Sequence, residues 1–228
     1  VQCISLHASS IYVGEELALF QRMAKYKYFI GIYMEKIFTN STVLIIPGLR
    51  DHVEEHWQTL LEARLEKVRS VPPAETDKLN CANRVARIQA ELEKIEGPVI
   101  LVAHSAGVLM TIHWATQHQH NIKGALLVAP PDLSQSWPDN YPSPDALKME
   151  GWSPLPNQKL SFPSIVVAST NDHLAQFDAV QQMAKVWGSQ LVNAGAVGHL
   201  NPAAGFGPWP MAEQLIAQLD VQHVKSAQ

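Results

Sequence analysis

The sequence predicts an α/β fold, with a mostly parallel sheet of about six strands and helices on both faces. Three observations carry this. Short, continuously apolar runs recur along the chain, at Thr42–Ile46, Val99–Ala103, Ala125–Ala129 and Ile165–Ser169. Strands buried on both faces read this way, whereas half-exposed strands alternate. Between these runs, apolar residues recur at helical spacing. The chain has 228 residues, 46% hydrophobic and 17% charged, which suits one globular domain with a sizeable core.

The elements follow in order. Residues 1–33 carry Ile, Tyr, Phe and Lys with no clean period, and their apolar patches are too short and too charged to span a membrane. Glu15 and Glu16 precede the apolar patch, the reverse of a secretory signal. The expectation is an N-terminal extension over residues 1–33, consistent with a start at Met34, followed by one domain over residues 34–228. Thr42–Ile46 is the first strand, ended by Pro47 and Gly48. Val53, Trp57, Leu60, Leu61, Leu65 and Val68 mark a helix, with a weak strand near Lys67–Val71. Ala82, Val85, Ile88, Leu92 and Ile95 mark a second helix, stopped by Gly97 and Pro98. Val99–Ala103 is a strand, and Val108, Leu109, Ile112 and Ala115 mark the helix after it. Ala125–Ala129 and Ile165–Ser169 are further strands. The latter is followed by a helix carrying Phe177, Val180, Met183, Ala184 and Trp187. Gln190–Asn193 is the last strand, and Met211, Leu215, Ile216 and Leu219 form a closing helix. Residues 130–163 break the rhythm with prolines and with Trp137, Tyr141 and Trp152. Two readings stand, a partial cover beside a site or a surface loop pinned by its aromatics.

Charge and cysteine usage exclude other classes. The net charge of −4 and the lack of a Lys/Arg cluster argue against nucleic-acid binding. Cys3 and Cys81 form neither a disulfide framework nor a metal spacing, and Cys81 reads as a small core residue. This usage suits a reducing compartment, so the expected location is cytoplasmic.

In an open parallel sheet, ligands bind beyond the carboxyl ends of the strands. Gly48 and Leu49 follow the first strand, Ser105 the third, Asp132 the fourth, Asn171 and Asp172 the fifth, and Gly198, His199, Leu200 and Asn201 the sixth. Ser105 stands between Ala103-His104 and Ala106-Gly107, at a strand-to-helix turn with small flanking residues, the layout of a nucleophile elbow. The plain alternative is a serine that caps the helix. Ser105, Asp172 and His199 come in the order Ser…Asp…His, which is that of α/β-hydrolases. A serine hydroxyl needs a base during attack, and His199 has the suitable side chain. Asp172 would orient the imidazole. The N–H of Ala106, opening a helix, is one candidate oxyanion donor. Leu49 is the second, with Gly48 as its alternative. Gly48, His56, Trp57, His104 and Asn201 are candidate pocket residues, and His56 and Trp57 could instead lock the first loop. This chemistry requires no metal or organic cofactor.

From Thr42 onward the chain resembles the small serine hydrolases of the retinoblastoma-binding-protein-nine/YdeN family. The resemblance rests on Ile45-Ile46-Pro47-Gly48, on His56-Trp57-Gln58, and on Ala103-His104-Ser105-Ala106-Gly107. It continues through residues 162–172, Gly198-His199-Leu200-Asn201 and residues 205–210. It implies a compact, lidless α/β-hydrolase with a Ser105–Asp172–His199 triad. Ala103 stands in place of the commoner Gly, and His173 where such proteins often carry Pro. Retinoblastoma binding is not implied, because Leu79-Asn80-Cys81-Ala82-Asn83 lacks the glutamate of a Leu-x-Cys-x-Glu sequence.

Rival readings exist. His52-Val53-Glu54-Glu55-His56 fits H-x-x-E-H, in which two histidines one helical turn apart share a zinc. It needs a further downstream ligand, and no persuasive one is present. Asp132 is the substitute acid, ahead of Asp178, which falls inside a helix. His104 reads as packing or a pocket wall. His118 and His120 lie at a helix C-terminus, where they favour the dipole when charged. The expected function is hydrolysis of small carboxylic esters or related acyl compounds through an acyl-enzyme. The alternative is a partner-binding protein of the same fold with incidental hydrolysis. The expected partner is a small acyl substrate, with no nucleic acid and no membrane, and oligomeric state is not legible.

Overall fold

The computed structural model describes residues 36–221. The expected extension over residues 1–33 lies outside them. From Ile37 onward the described chain forms one compact unit.

Strand β1 (Thr42–Ile46) leads to helix α1 (Trp57–Arg64) and strand β2 (Val68–Ser70). Helix α2 (Cys81–Leu92) precedes β3 (Val99–His104), α3 (Ala106–Gln117) and β4 (Ile122–Val128). A four-residue helix α4 (Pro144–Leu147) runs into a wide turn, Lys148–Trp152. Strand β5 (Ser164–Ala168), helix α5 (Phe177–Trp187), strand β6 (Gln190–Asn193) and helix α6 (Pro210–Val221) complete the order.

All six strands are parallel, in the order β2-β1-β3-β4-β5-β6. Every residue of Val99–Ala103 is fully buried, as are Leu126–Val128 and Val166–Ala168. Both faces are therefore covered, as the unbroken apolar runs require. On one face Leu44, Leu101, Leu127 and Val166 meet α2, α3 and α5 through Ile88, Leu109 and Val180. On the other Val43, Ile100, Leu126 and Ile165 meet α1 and α6 through Leu61 and Ile216. The two-residue alternation along each strand divides its side chains between these layers. The carboxylate of Asp220, at the end of α6, accepts from the N–H groups of Asn40 and Ser41 and from the Ser41 hydroxyl, anchoring the chain before β1.

Helix α1 is shorter than the spacing predicts. Its first residue is Trp57, capped by His56 Nδ1, which accepts from the Gln58 N–H at 3.2 Å. Val53 lies in the preceding loop. At Leu65 the chain turns extended and bridges to Ile37, so Val68 belongs to β2. The 130–163 segment does both things the sequence left open. Its first part lines a pocket through Pro131, Trp137 and Tyr141. Its second part buries Leu147 and Trp152 completely, and Trp152 Nε1 donates to the Leu79 carbonyl at 2.6 Å. Among the described residues, no helix is long and apolar enough to cross a membrane.

Strand order reverses direction between β1 and β3. Beyond the carboxyl ends of those two neighbours lies the crevice where open parallel sheets bind ligands. The loop after β1 and the β3–α3 turn both open there.

Candidate active site

Ser105 sits between β3 and α3 with φ 57° and ψ −129°, outside the regions that L-residues favour. Its N–H donates to the Val128 carbonyl at 2.9 Å. Its hydroxyl makes no cap bond to the helix it precedes, so it is not a capping serine. The turn depends on Gly107. A Cβ there would stand 2.3 Å from the Ile46 carbonyl oxygen and 2.8 Å from that of Pro47. Only glycine lets the first turn of α3 lie so close to the end of β1. Gly48 backs onto the serine from the opposite loop, and a Cβ there would lie 3.2 Å from Ser105 Cβ.

The structure brings together the three side chains singled out in the sequence. His199 Nε2 is 2.9 Å from Ser105 Oγ, and His199 Nδ1 is 2.8 Å from Asp172 Oδ2. Asp172 Oδ1 accepts from the Leu174 N–H at 2.9 Å. His199 and Asp172 are both buried. With its proton on Nδ1, a neutral imidazole donates to the carboxylate and presents Nε2 as acceptor to the hydroxyl.

Sequence reasoning missed how the acid and histidine loops are tied together. Asn171 Oδ1 accepts from the Ser169 hydroxyl at 2.9 Å and from the Gly198 N–H at 2.7 Å. Ser169 Oγ in turn accepts from the Val197 N–H at 3.2 Å. The Ser-Thr-Asn-Asp run just after β5 was the available signal, since short polar side chains hold loops by bonding backbone N–H groups. Gln58 was also missed as a positioning group. It is buried, and its Nε2 donates to the carbonyls of Val102 (2.9 Å) and Ile46 (3.3 Å), joining the ends of β3 and β1.

His104 packs against His199 and His56 against His104, while the His173 ring lies 5.7 Å from that of His199. His104 Nε2 donates to the His199 carbonyl at 2.9 Å. The His104 ring lies 5.0 Å from that of His199 and 4.6 Å from that of His56. Burial, reinforced by His199 and His56, pushes the His104 pKa well below the ordinary histidine value. Burial, then His199 and His52, brings that of His56 down to about 4. Both rings are neutral at pH 7.

A pocket of about 160 Å³ opens over Ser105, bounded by the loop after β1, the 130–142 segment and the chain after His199. Gly48, Leu49, His56, His104, Ala106 and Asn201 all line it. Ala106 opens α3, where first-turn N–H groups lack an acceptor within the helix. The loop carrying Leu49 is braced by Arg84, which pairs with Asp51, donates to the Lys78 carbonyl at 2.8 Å and reaches the Leu49 carbonyl at 3.4 Å. Asn201 Oδ1 accepts from the Ala204 N–H at 3.0 Å, shaping the turn after His199. Trp57 corrects the expectation. It is 1% exposed and packs edge-on against Trp209 in the core below, not in the pocket wall.

The rival residues stand elsewhere. Asp132 Oδ1 accepts from the Ser134 N–H at 2.8 Å, forming a local turn. Asp178 is exposed in the first turn of α5. His52 and His56 do not share a helix, because α1 begins only at Trp57. His52 faces Glu62 at 3.6 Å, and His56 Nδ1 is spent on the cap. Among the described residues, no group of three His, Cys, Asp or Glu is placed to hold a metal. His118 stacks on Trp114 at the end of α3. Cys81 opens α2, buried and free, and burial pushes its thiol up to about 11.

A doubly covered parallel sheet with a serine at the β3–α3 turn and a histidine after β6 defines an α/β-hydrolase. The serine hydrolase family profile matches residues 43–218, and the chain belongs to that family. Among solved structures it is similar to a YdeN-like hydrolase of Pectobacterium atrosepticum. The two are 33% identical, over 78% of this chain and 90% of that one, with a TM-score of 0.68. It is also similar to the YdeN gene product of Bacillus subtilis (17% identity, 80% and 100% of the two chains, TM-score 0.63). The type II thioesterase BorB of the borrelidin biosynthetic cluster shares the fold at 12% identity, over 82% and 95% of the chains, with a TM-score of 0.58. Among curated proteins, none matches the sequence.

Proposed function

We propose that this serine hydrolase cleaves small carboxylic esters or related acyl compounds through an acyl-enzyme on Ser105. The observation that carries this is the Ser105 hydroxyl, unused as a cap and 2.9 Å from His199 Nε2. As the Ser105 oxygen attacks the carbonyl carbon, its proton passes to His199 Nε2. Asp172 stabilises the imidazolium that forms and holds the ring in the required tautomer. The N–H groups of Ala106 and Leu49 receive the tetrahedral oxyanion, each contributing about 3–4 kcal/mol to lowering the barrier. His199 then returns the proton to the departing alkoxide, and the same steps with water release the acid. A pocket near 160 Å³ suits an acyl group about the size of a benzene ring, since an engineered cavity of ~150 Å³ holds benzene. The free thiol of Cys81 fits a reducing compartment, and the proposed location is cytoplasmic.

The experiment is fluorophosphonate labelling together with turnover of short-chain aryl esters. Wild type is expected to be labelled at Ser105 and to hydrolyse the esters, and Ser105→Ala to do neither. A folded wild type that is neither labelled nor active would instead favour a partner-binding protein of this fold.

A further inference from the structure

We propose that Arg50 selects substrates that carry a carboxylate, making it a specificity-determining residue at the mouth of the Ser105 pocket. The proposal rests on the hydrolase reading of Ser105. Arg50 follows Gly48 and Leu49 directly on the loop after β1, and it lines the same pocket as Ser105 and His199. Its guanidinium carbon lies 5.1 Å from the centre of the Tyr141 ring, and that ring lies 6.4 Å from the ring of His199. The Tyr141 hydroxyl is hydrogen-bonded to His173 Nε2 at 3.1 Å, which fixes the platform on which the guanidinium rests.

The charges of the pocket make this arrangement selective. The adjacent carboxylate, Asp51, also lines the pocket, but it is paired with the buried guanidinium of Arg84. Among the described residues no carboxylate pairs with Arg50, so it is the one fixed charge of the pocket lining without an opposite partner. His56 and His104 are neutral, and His199 is committed to Asp172. Tyr141 holds the guanidinium by a cation–π contact, which uses none of its N–H donors. Those in-plane donors stay free, in the fork that matches a carboxylate bidentately. The cation–π contact pre-orders a side chain that would otherwise lose rotamer freedom on binding. Leu49, Val53, Trp137 and Leu174 supply apolar walls beside it. The substrate class is therefore short acyl esters bearing an anionic group, such as half-esters of small dicarboxylic acids.

The test compares matched aryl esters in two arms. One puts the carboxylate on the acyl chain, with hemisuccinate and hemiglutarate set against butyrate and pentanoate. The other puts it on the leaving group, with butyrate esters of hydroxybenzoate set against hydroxybenzamide. The readout is the ratio of kcat/KM for the anionic ester to that for the neutral one. In one arm the wild-type ratio is expected to fall about tenfold or more in Arg50→Gln, with partial retention in Arg50→Lys and weakening as salt rises. Ratios unmoved by Arg50→Gln in both arms, with Ser105 still labelled by fluorophosphonate, would overturn the carboxylate assignment and leave the hydrolase reading standing. Loss of labelling and turnover in the wild type would overturn both. Should Arg50→Gln fail to fold, seen as loss of labelling, Arg50→Lys and the salt dependence of the wild-type ratio decide on the same criteria.

Discussion

His104 Nε2 donates a hydrogen bond to the backbone carbonyl of His199 across 2.9 Å, joining the residue before Ser105 to the residue that faces its hydroxyl. The bond links the β3 end to a loop 95 positions away in the chain. It ties the position of one partner in the proposed proton transfer to the position of the other. It also requires a proton on His104 Nε2, which the buried, neutral ring retains.

His104→Phe keeps a planar aromatic ring, somewhat larger than the imidazole, and removes the donor. The His199 carbonyl is then left buried without this partner, a cost of about 1–3 kcal/mol. The expected result is a lower urea midpoint, together with a kcat for aryl esters reduced about tenfold and KM less affected. A kcat equal to wild type would show that the bond does not position His199.

The buried histidines also set an acid limit on stability. The folded-state pKa of His56, about 4, lies below the ordinary value of 6.5. The unfolded chain therefore binds more protons between those values, and stability rises with pH there. His56 contributes stability that is fully present above pH 6.5 and is lost as pH falls towards 4. The loss amounts to about 3 kcal/mol, and His104 acts in the same direction. Urea midpoints between pH 7.5 and pH 4 should fall accordingly. His56→Asn keeps an N-cap acceptor and should flatten the profile.

Much of this was legible because burial writes itself into composition. Thr42–Ile46 and Gln190–Asn193 run as strands over the predicted bounds. Ser105, Asp172 and His199 stood out because each follows a strand on the edge where parallel sheets bind ligands. Of the two roles left open for Trp57, pocket wall or structural lock, burial assigns the structural one. His56 is the extended N-cap and Trp57 the first helical residue, so the two side chains part: His56 lines the pocket and Trp57 is buried in the core. The links Asn171–Gly198, Arg84–Asp51 and Gln58–Val102 join residues far apart in sequence through single polar atoms, and no periodicity announces such contacts.

Two glycines beside Ser105 should respond differently to one methyl group. Gly107→Ala forces a Cβ to 2.3 Å from the Ile46 carbonyl, and backbone must move to relieve it. A destabilisation of about 3 kcal/mol or failure to fold is expected. At Gly48 the nearest atom is Ser105 Cβ at 3.2 Å, with the hydroxyl at 3.6 Å. Gly48→Ala should keep most of the stability and lose activity, because the methyl crowds the reacting oxygen. Thermal melts and fluorophosphonate labelling rates on the two variants separate these outcomes.

The strongest demand on the proposed mechanism falls on Asp172. Its Oδ2 faces His199 Nδ1 at 2.8 Å, while Oδ1 takes the Leu174 N–H. Asp172→Asn has nearly the same shape. If its carbonyl keeps the Leu174 bond, its amide group must donate towards His199 Nδ1. The imidazole proton then moves to Nε2, and the ring can no longer accept from Ser105. The variant should fold at near wild-type stability, while kcat for an aryl ester falls about 10⁴-fold, as the same change does in a serine protease. Part of the loss should return at high pH, where hydroxide does work that His199 no longer can. A variant within tenfold of wild type at pH 7 would mean that Asp172 does not set the tautomer of His199.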